Sequence, residues 1–107
     1  MSVTDMLPKS ERWTSKKWRD AAKGQECTMR LPGVCNGNTE TTVFAHEGGA
    51  GMGMKADDFN GCDCCSACHN VLDGRVKSGW SSATIRNAFE QGRLETIKNR
   101  LERKVFK

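Results

Sequence analysis

Between Asn60 and Asp73 the chain reads Asn-Gly-Cys-Asp-Cys-Cys-Ser-Ala-Cys-His-Asn-Val-Leu-Asp, which holds four of the six cysteines and one of the two histidines. No other stretch constrains the fold as tightly. Cys65-x2-Cys68 has the spacing of a metal knuckle, and His69 and Asp73 follow at the i, i+4 separation that puts two side chains on one helix face. A second pair, Cys27 and Cys35, brackets Thr-Met-Arg-Leu-Pro-Gly-Val. Pro32-Gly33 suits the centre of a type II turn, which would reverse the chain and bring these two thiols together. The two pairs then supply the four thiolates of a tetrahedral zinc site. A pair of buried free thiols is the bland reading of Cys27 and Cys35.

The choice between disulfides and metal turns on compartment. The opening Met-Ser-Val-Thr-Asp-Met lacks the basic start and apolar run of a secretory signal, so a metal site in a reducing cytoplasm is expected. With 107 residues, 36% hydrophobic and 7% aromatic, one domain with a modest core is expected, and such a core benefits from a staple. No apolar run approaches the roughly 18 residues of a membrane span, which excludes transmembrane roles.

Charge is segregated along the chain. Residues 1–24 carry six Lys/Arg against three Asp/Glu, residues 25–74 two against seven, and residues 75–107 nine against three, within a net +4. An acidic, cysteine-rich centre between basic flanks suits a cation in the middle and a polyanion at the ends. Plain solvation of basic helix faces accounts for the charge equally well.

In chain order, residues 1–8 are expected to fray, with Pro8 preventing an earlier helix start. A short helix from Ser10 or Ser15 to Lys23 would present Trp13, Trp18, Ala21 and Ala22 on one side and Arg12, Lys16, Lys17 and Arg19 on the other, with Gly24 at the left-handed C′ position. Its first task is to pack Trp18; phosphate contact by Lys16, Lys17 or Arg19 is the functional alternative. Thr39–His46 reads as a strand. A lone histidine at a strand end, such as His46, is more often a hydrogen-bonded structural residue than a base. The glycine-rich run from Gly48 to Gly53 is not a phosphate loop, because Met54-Lys55 follow instead of Lys-Ser or Lys-Thr. It reads as a hairpin connection, followed by one helical turn at Lys55–Phe59 and a short strand from Gly61 to Cys65. Ser66 is the expected N-cap of a helix ending at Leu72, with Gly74 as the stop. In the tail, Ile85, Ala88, Phe89, Leu94, Ile97, Leu101 and Val105 recur at helical spacing, and Gln91-Gly92 suggests a break or kink. That stripe is core or a self-association face, so oligomers through the C-terminal helices are possible. Arg86, Arg93, Lys98, Arg100, Arg103 and Lys104 would form a basic opposite side.

Taken together, the paired cysteines, the strand ending in Ala45-His46, Asn60 and then Cys65-x2-Cys68-His69-x3-Asp73 resemble an HNH endonuclease of the cysteine-framed kind. Gly24-Gln-Glu-Cys27, Pro32-Gly-Val-Cys-Asn-Gly37, Cys65-Ser-Ala-Cys-His69 and Asp73-Gly-Arg75 are similar more narrowly to the YbcO-like family of small lambdoid phage and prophage proteins. The resemblance covers about residues 20–75. With the basic N-terminal helix at 1–24 and the C-terminal basic helical region at 76–107 read from the residues themselves, an α+β fold is expected, for which the resemblance implies a small zinc-stapled ββα-metal finger at 25–75. It further implies His46 as the general base, Asn60 as the residue that braces the loop, and His69 with Asp73 as ligands of a catalytic divalent ion (Mg, Mn, Ni or Zn). Cys27, Cys35, Cys65 and Cys68 would hold the structural zinc; Cys62-x2-Cys65 is also a legal knuckle, but pairing Cys65 with Cys68 leaves His69 on the helix where the motif needs it.

The expected function is metal-dependent hydrolysis of DNA phosphodiester bonds in phage or prophage replication or recombination, in the cytoplasm of a bacterial host, with DNA bound through the basic flanks. Ala45 departs from the pattern, since many HNH enzymes carry Asp or His there as a further metal ligand. Either fewer protein groups hold the ion, or Glu47, Asp57 or Asp58 supplies the oxygen, or cleavage has been lost. A noncatalytic zinc-stabilised nucleic-acid-binding module is therefore the alternative, with cysteine redox or metal buffering through Cys62 and Cys64 a third reading.

Overall fold

A computed structural model describes residues 13–46 and 58–106. In order these form helix α1 (Lys16–Asp20), a 3₁₀ turn (Thr39–Thr41), strand β1 (Val43–His46), a second 3₁₀ turn (Asp58–Asn60), strand β2 (Gly61–Cys64), helix α2 (Ser66–Leu72) and helix α3 (Ser82–Glu102). The expected α+β arrangement is present: a hairpin followed by a helix, flanked by helices on both sides.

Ser15 caps α1 by accepting the Trp18 amide at 3.1 Å, which settles which serine starts this helix. Regular α-helix stops at Asp20, earlier than expected. Ala22 and Lys23 continue with tighter i→i−3 bonds to Arg19 and Asp20 before Gly24 turns the chain at φ +79°. Trp18 is 1% exposed, in edge contact with Trp13 and Phe59. Between Cys27 and Cys35 the expected turn is present: Gly33 has φ +74° and the Val34 amide bonds the Leu31 carbonyl at 3.0 Å.

β1 is shorter than its β-branched run suggested. Asn38 accepts the Glu40 amide and winds Thr39–Thr41 into a turn, so the strand is confined to Val43–His46. It pairs antiparallel with β2, Val43 opposite Cys64 and His46 opposite Gly61. A side chain at Gly61 would run into the Phe44 ring and the Ala45 carbonyl oxygen, so the strands can close only over a glycine there. All four residues of β2 are buried.

α2 has the expected span, but Cys65 rather than Ser66 is its N-cap, its sulfur accepting the Cys68 amide at 3.4 Å. Gly74, at φ +78°, follows the helix end.

The tail departs from its sequence pattern at two residues, Gly92 and Arg100. α3 runs unbroken through Gly92, whose absent side chain admits Thr28: a Cβ there would lie 2.6 Å from the Thr28 hydroxyl oxygen. The glycine serves close packing instead of a break. Arg100 is not on a solvated basic face but fully buried, forking onto both carboxylate oxygens of Asp63 at 2.6 and 2.8 Å and donating from Nε to the Trp18 carbonyl at 2.8 Å. The face α3 buries is Phe89, Gly92, Thr96 and Arg100, whereas Leu94 and Leu101 of the expected stripe are exposed.

Candidate functional site

The two sequence-predicted cysteine pairs meet. Cys27, Cys35, Cys65 and Cys68 place their sulfurs within 4.8 Å of one another, with Cys35 and Cys65 at 3.9 Å. A tetrahedral zinc with Zn–S bonds of about 2.3 Å puts its sulfurs about 3.8 Å apart, so the donor type and the spacing both fit that ion. Backbone amides finish the arrangement. Cys27 Sγ accepts the Arg30 amide at 3.4 Å, and Arg30 adopts φ +47°, an uncommon conformation for a side-chain-bearing residue. The Cys68 thiol hydrogen-bonded to Cys27 holds the latter's pKa down to about 4 and raises that of Cys68 itself, so one sulfur of the cluster is strongly biased toward thiolate. The remaining two cysteines, Cys62 and Cys64, are fully buried in the adjoining core. Contact with Cys62, followed by burial, pushes the Cys64 thiol well up, which keeps it protonated.

His46 ends β1 with its ring partly exposed, and Phe44 meets it edge-on at 5.2 Å. Its Nε2 lies 3.0 Å from Oδ1 of Asp58. Asp58 is 1% exposed and its other oxygen is also occupied, accepting the Ser15 amide and the Arg19 guanidinium, each at 2.6 Å. On α2, His69 Nε2 lies 3.1 Å from Asp73 Oδ2, with the Arg75 guanidinium 3.4 Å from the same oxygen. Adjacent ligand positions around an octahedral ion with bonds of 2.0–2.1 Å are about 2.9 Å apart, so this imidazole and carboxylate are spaced like two neighbouring ligands. Asn60 closes the turn before β2 and is exposed. Among the described residues, the four cysteines are the group of three or more candidate ligands that converges; His46, Asp58, His69 and Asp73 do not form another.

A profile of the family described as "Putative nuclease YbcO" matches residues 16–104. The chain belongs to that family. It is 52% identical over 61 residues to "Putative nuclease YbcO" of Escherichia coli (strain K12) and, to the same extent, to "Putative nuclease ybcO" of Enterobacteria phage 82. Each match takes in 54% of this chain and 64% of the relative, so the chain spans just under two thirds of the curated proteins it matches. The solved "Structure of a putative bacteriophage protein from Escherichia coli str. K-12 substr. MG1655" superposes with a TM-score of 0.68 at 35% identity, covering 79% of this chain and 96% of that one. The match to the YbcO family reaches well into α3, beyond the motifs that carry the resemblance in the sequence.

Within this YbcO-family chain Ala45 is 2% exposed and part of the hydrophobic core, so the position before His46 contributes packing. Of the three residues considered for the missing ligand, Asp58 has both oxygens engaged, while Glu47 and Asp57 lie outside the described residues, as does the glycine run from Gly48 to Gly53. The partner of His46 is thus Asp58, held by Arg19, a pairing the motif does not contain. The sequence holds an acidic residue two positions before Asn60 and a basic residue on the first helix, and neither identifies the other without the fold.

Among the described residues no helix is long and apolar enough to cross a membrane.

Proposed function

We propose that this chain is a metal-dependent endonuclease that hydrolyses DNA phosphodiester bonds, acting in phage or prophage replication or recombination. The observation that carries the reading is His46, set at the end of β1 against the buried carboxylate of Asp58 on a hairpin and helix stapled by four cysteines. Hydrolysis needs a water deprotonated in line with the leaving oxygen, and a partly exposed imidazole fixed on one side is suited to take that proton. His69 and Asp73 would hold a hard divalent ion, which when bound supplies charge neutralisation at the phosphate and the leaving oxygen. Arg75, beside Asp73, is placed to share that anionic partner. Asn60, exposed at the end of the turn from which Asp58 reaches His46, would steady that loop as the HNH resemblance implies. Lys16, Lys17 and Lys23, all exposed on or just after α1, and the lysines of the tail offer sequence-independent contacts to the DNA backbone.

Ala45 favours a second reading, a noncatalytic zinc-stabilised nucleic-acid-binding module, because a core alanine stands where a further metal ligand would. Supercoiled-plasmid nicking in Mg²⁺, Mn²⁺, Ni²⁺ or Zn²⁺ separates the two. The nuclease reading expects cleavage by the wild type and its loss in His46→Ala. Salt-sensitive DNA binding with no cleavage in any of the four metals would establish the second reading instead.

A further inference from the structure

The hydrogen bonds around Asp58 decide which nitrogen of His46 is available for chemistry. Oδ1 faces the histidine Nε2 at 3.0 Å, while Oδ2 accepts two donors at 2.6 Å, the Ser15 amide and the Arg19 guanidinium. A carboxylate so held can only accept from the ring, so Nε2 must carry the hydrogen and the lone pair of a neutral imidazole falls on Nδ1. We propose that Asp58 is a positioning residue that locks His46 in the Nε2–H tautomer, that Arg19 holds Asp58 in place, and that Nδ1 is the nitrogen presented to the reacting water. The last part rests on the nuclease reading given above; the tautomer does not.

The support for Asp58 is built from several directions. Its own amide donates to the Trp13 carbonyl at 2.9 Å, and the neighbouring Phe59 ring stacks on Trp13 at 4.2 Å. The segment bearing Ser15 and Arg19 is tied in turn to the end of α3. Ser15 Oγ donates to the Phe106 carbonyl at 2.5 Å, Arg100 to the Trp18 carbonyl and Arg103 to the Ala21 carbonyl. Both terminal helices thereby serve the histidine, although neither carries a motif residue.

The same geometry makes Asp58→Asn a sharp test. Two donors converge on Oδ2, so the asparagine oxygen must take that place and its amide nitrogen must turn to His46. Nε2 then has to accept, the hydrogen moves to Nδ1, and the proposed base is blocked with almost no change in shape. The measurement is long-range ¹H–¹⁵N correlation of the imidazoles in the zinc-loaded protein at about pH 8.5, where an ordinary histidine is neutral. His46 should appear as Nε2–H in the wild type and as Nδ1–H in Asp58→Asn. Arg19→Lys, which keeps a donor for Oδ2, should retain the wild-type tautomer, and Arg19→Met should give a mixture. Plasmid nicking should follow: kcat down about 10²-fold or more in Asp58→Asn with KM little changed, down about tenfold in Arg19→Met, and recovered toward the wild type in Arg19→Lys relative to Arg19→Met. Should Asp58→Asn fail to fold, as judged by zinc content and thermal unfolding, the Arg19→Met and Arg19→Lys pair decides. A wild-type Nδ1–H tautomer, or one that ignores Asp58→Asn and Arg19→Met alike, overturns the proposal. If the wild type cuts nothing, the nuclease reading fails while the spectra still judge the tautomer. An inverted tautomer with undiminished cleavage would remove Nδ1 as the base.

Discussion

The four cysteines and the two histidines lie around the same helix, α2, yet they are built on opposite plans. The thiols come from the Cys27–Cys35 turn region and the start of α2, and they converge until each has the others as neighbours. Each histidine instead takes a carboxylate of its own, His46 with Asp58 and His69 with Asp73, and among the described residues neither pair gathers a third ligand atom into a cluster like that of the thiols. A closed set of four soft donors leaves no position for a substrate and is suited to holding structure. A partly exposed imidazole, fixed from one side only, keeps one nitrogen free for chemistry. The difference separates what keeps this protein folded from what it would do to a phosphate.

The strongest way to break that contrast is to attack the thiols. Removing zinc with a chelator, or replacing Cys68 with Ser, should unfold the hairpin and α2 outright. Structural zinc contributes about 10 kcal/mol or more in small domains of this kind, beyond what a modest core can replace. Far-UV circular dichroism followed during chelation should lose helix signal in step with zinc release. Retention of a full spectrum in the metal-free protein would show that the thiols are ordinary core residues.

Asp63 tests the strand beneath both regions. It lies on β2 between Cys62 and Cys64, with its carboxylate turned to Arg100 at the buried face of α3. Asp63→Ala strands a guanidinium that has no exposed surface, and the cost should be about 3–5 kcal/mol by urea denaturation. Zinc should stay bound in the folded fraction. A loss below about 1 kcal/mol would mean that Arg100 reaches water once its partner is gone.

These two cases also mark what could be read from the chain. Knuckle spacing, a Pro-Gly turn and an α2 flanked by usable cap residues are local, and the structure has all three. So are the hairpin and the capping by Ser15. The errors lie where a residue's role is set by something distant in sequence. Gly92 looked like a helix breaker because propensity describes an isolated helix, whereas the Thr28 hydroxyl presses against it across the fold. Arg100 reads as solvated because Lys98, Glu102, Arg103 and Lys104 stand close by in sequence, and the approach of β2 and of Trp18 buries it. Asp58 belongs to the same class. Its histidine lies 12 residues away and its arginine 39, so spacing could not join them.

The histidine arm should respond in activity and not in stability. His69→Ala and Asp73→Ala remove a partly exposed pair, so thermal unfolding should move little and zinc content should stay at one ion. Nicking should fall about 10²-fold, the equivalent of about 2.7 kcal/mol, with higher concentrations of divalent metal restoring part of it. Equal damage to folding and cleavage would place His69 with the cysteines and merge the two regions into one.

The smallest effect sharpens the boundary of the staple itself. Cys62 and Cys64 are as buried as the proposed ligands, and Cys62-x2-Cys65 would serve as a knuckle on spacing alone. The alternation of a strand explains the distinction: Cys62 and Cys64, two residues apart on β2, share one face, and the Cys62 contact raises the pKa of Cys64 so that it remains a thiol. A buried thiol of this kind behaves as a small apolar side chain. Cys62→Ala and Cys64→Ala should each cost about 1 kcal/mol, the price of a small void, and leave zinc stoichiometry at one per chain. Metal analysis of the purified variants reads this directly. A zinc content falling toward zero in Cys62→Ala, with Cys68→Ala still loaded, would transfer the knuckle from Cys65–Cys68 to Cys62–Cys65 and free Cys68 and the helix that bears His69.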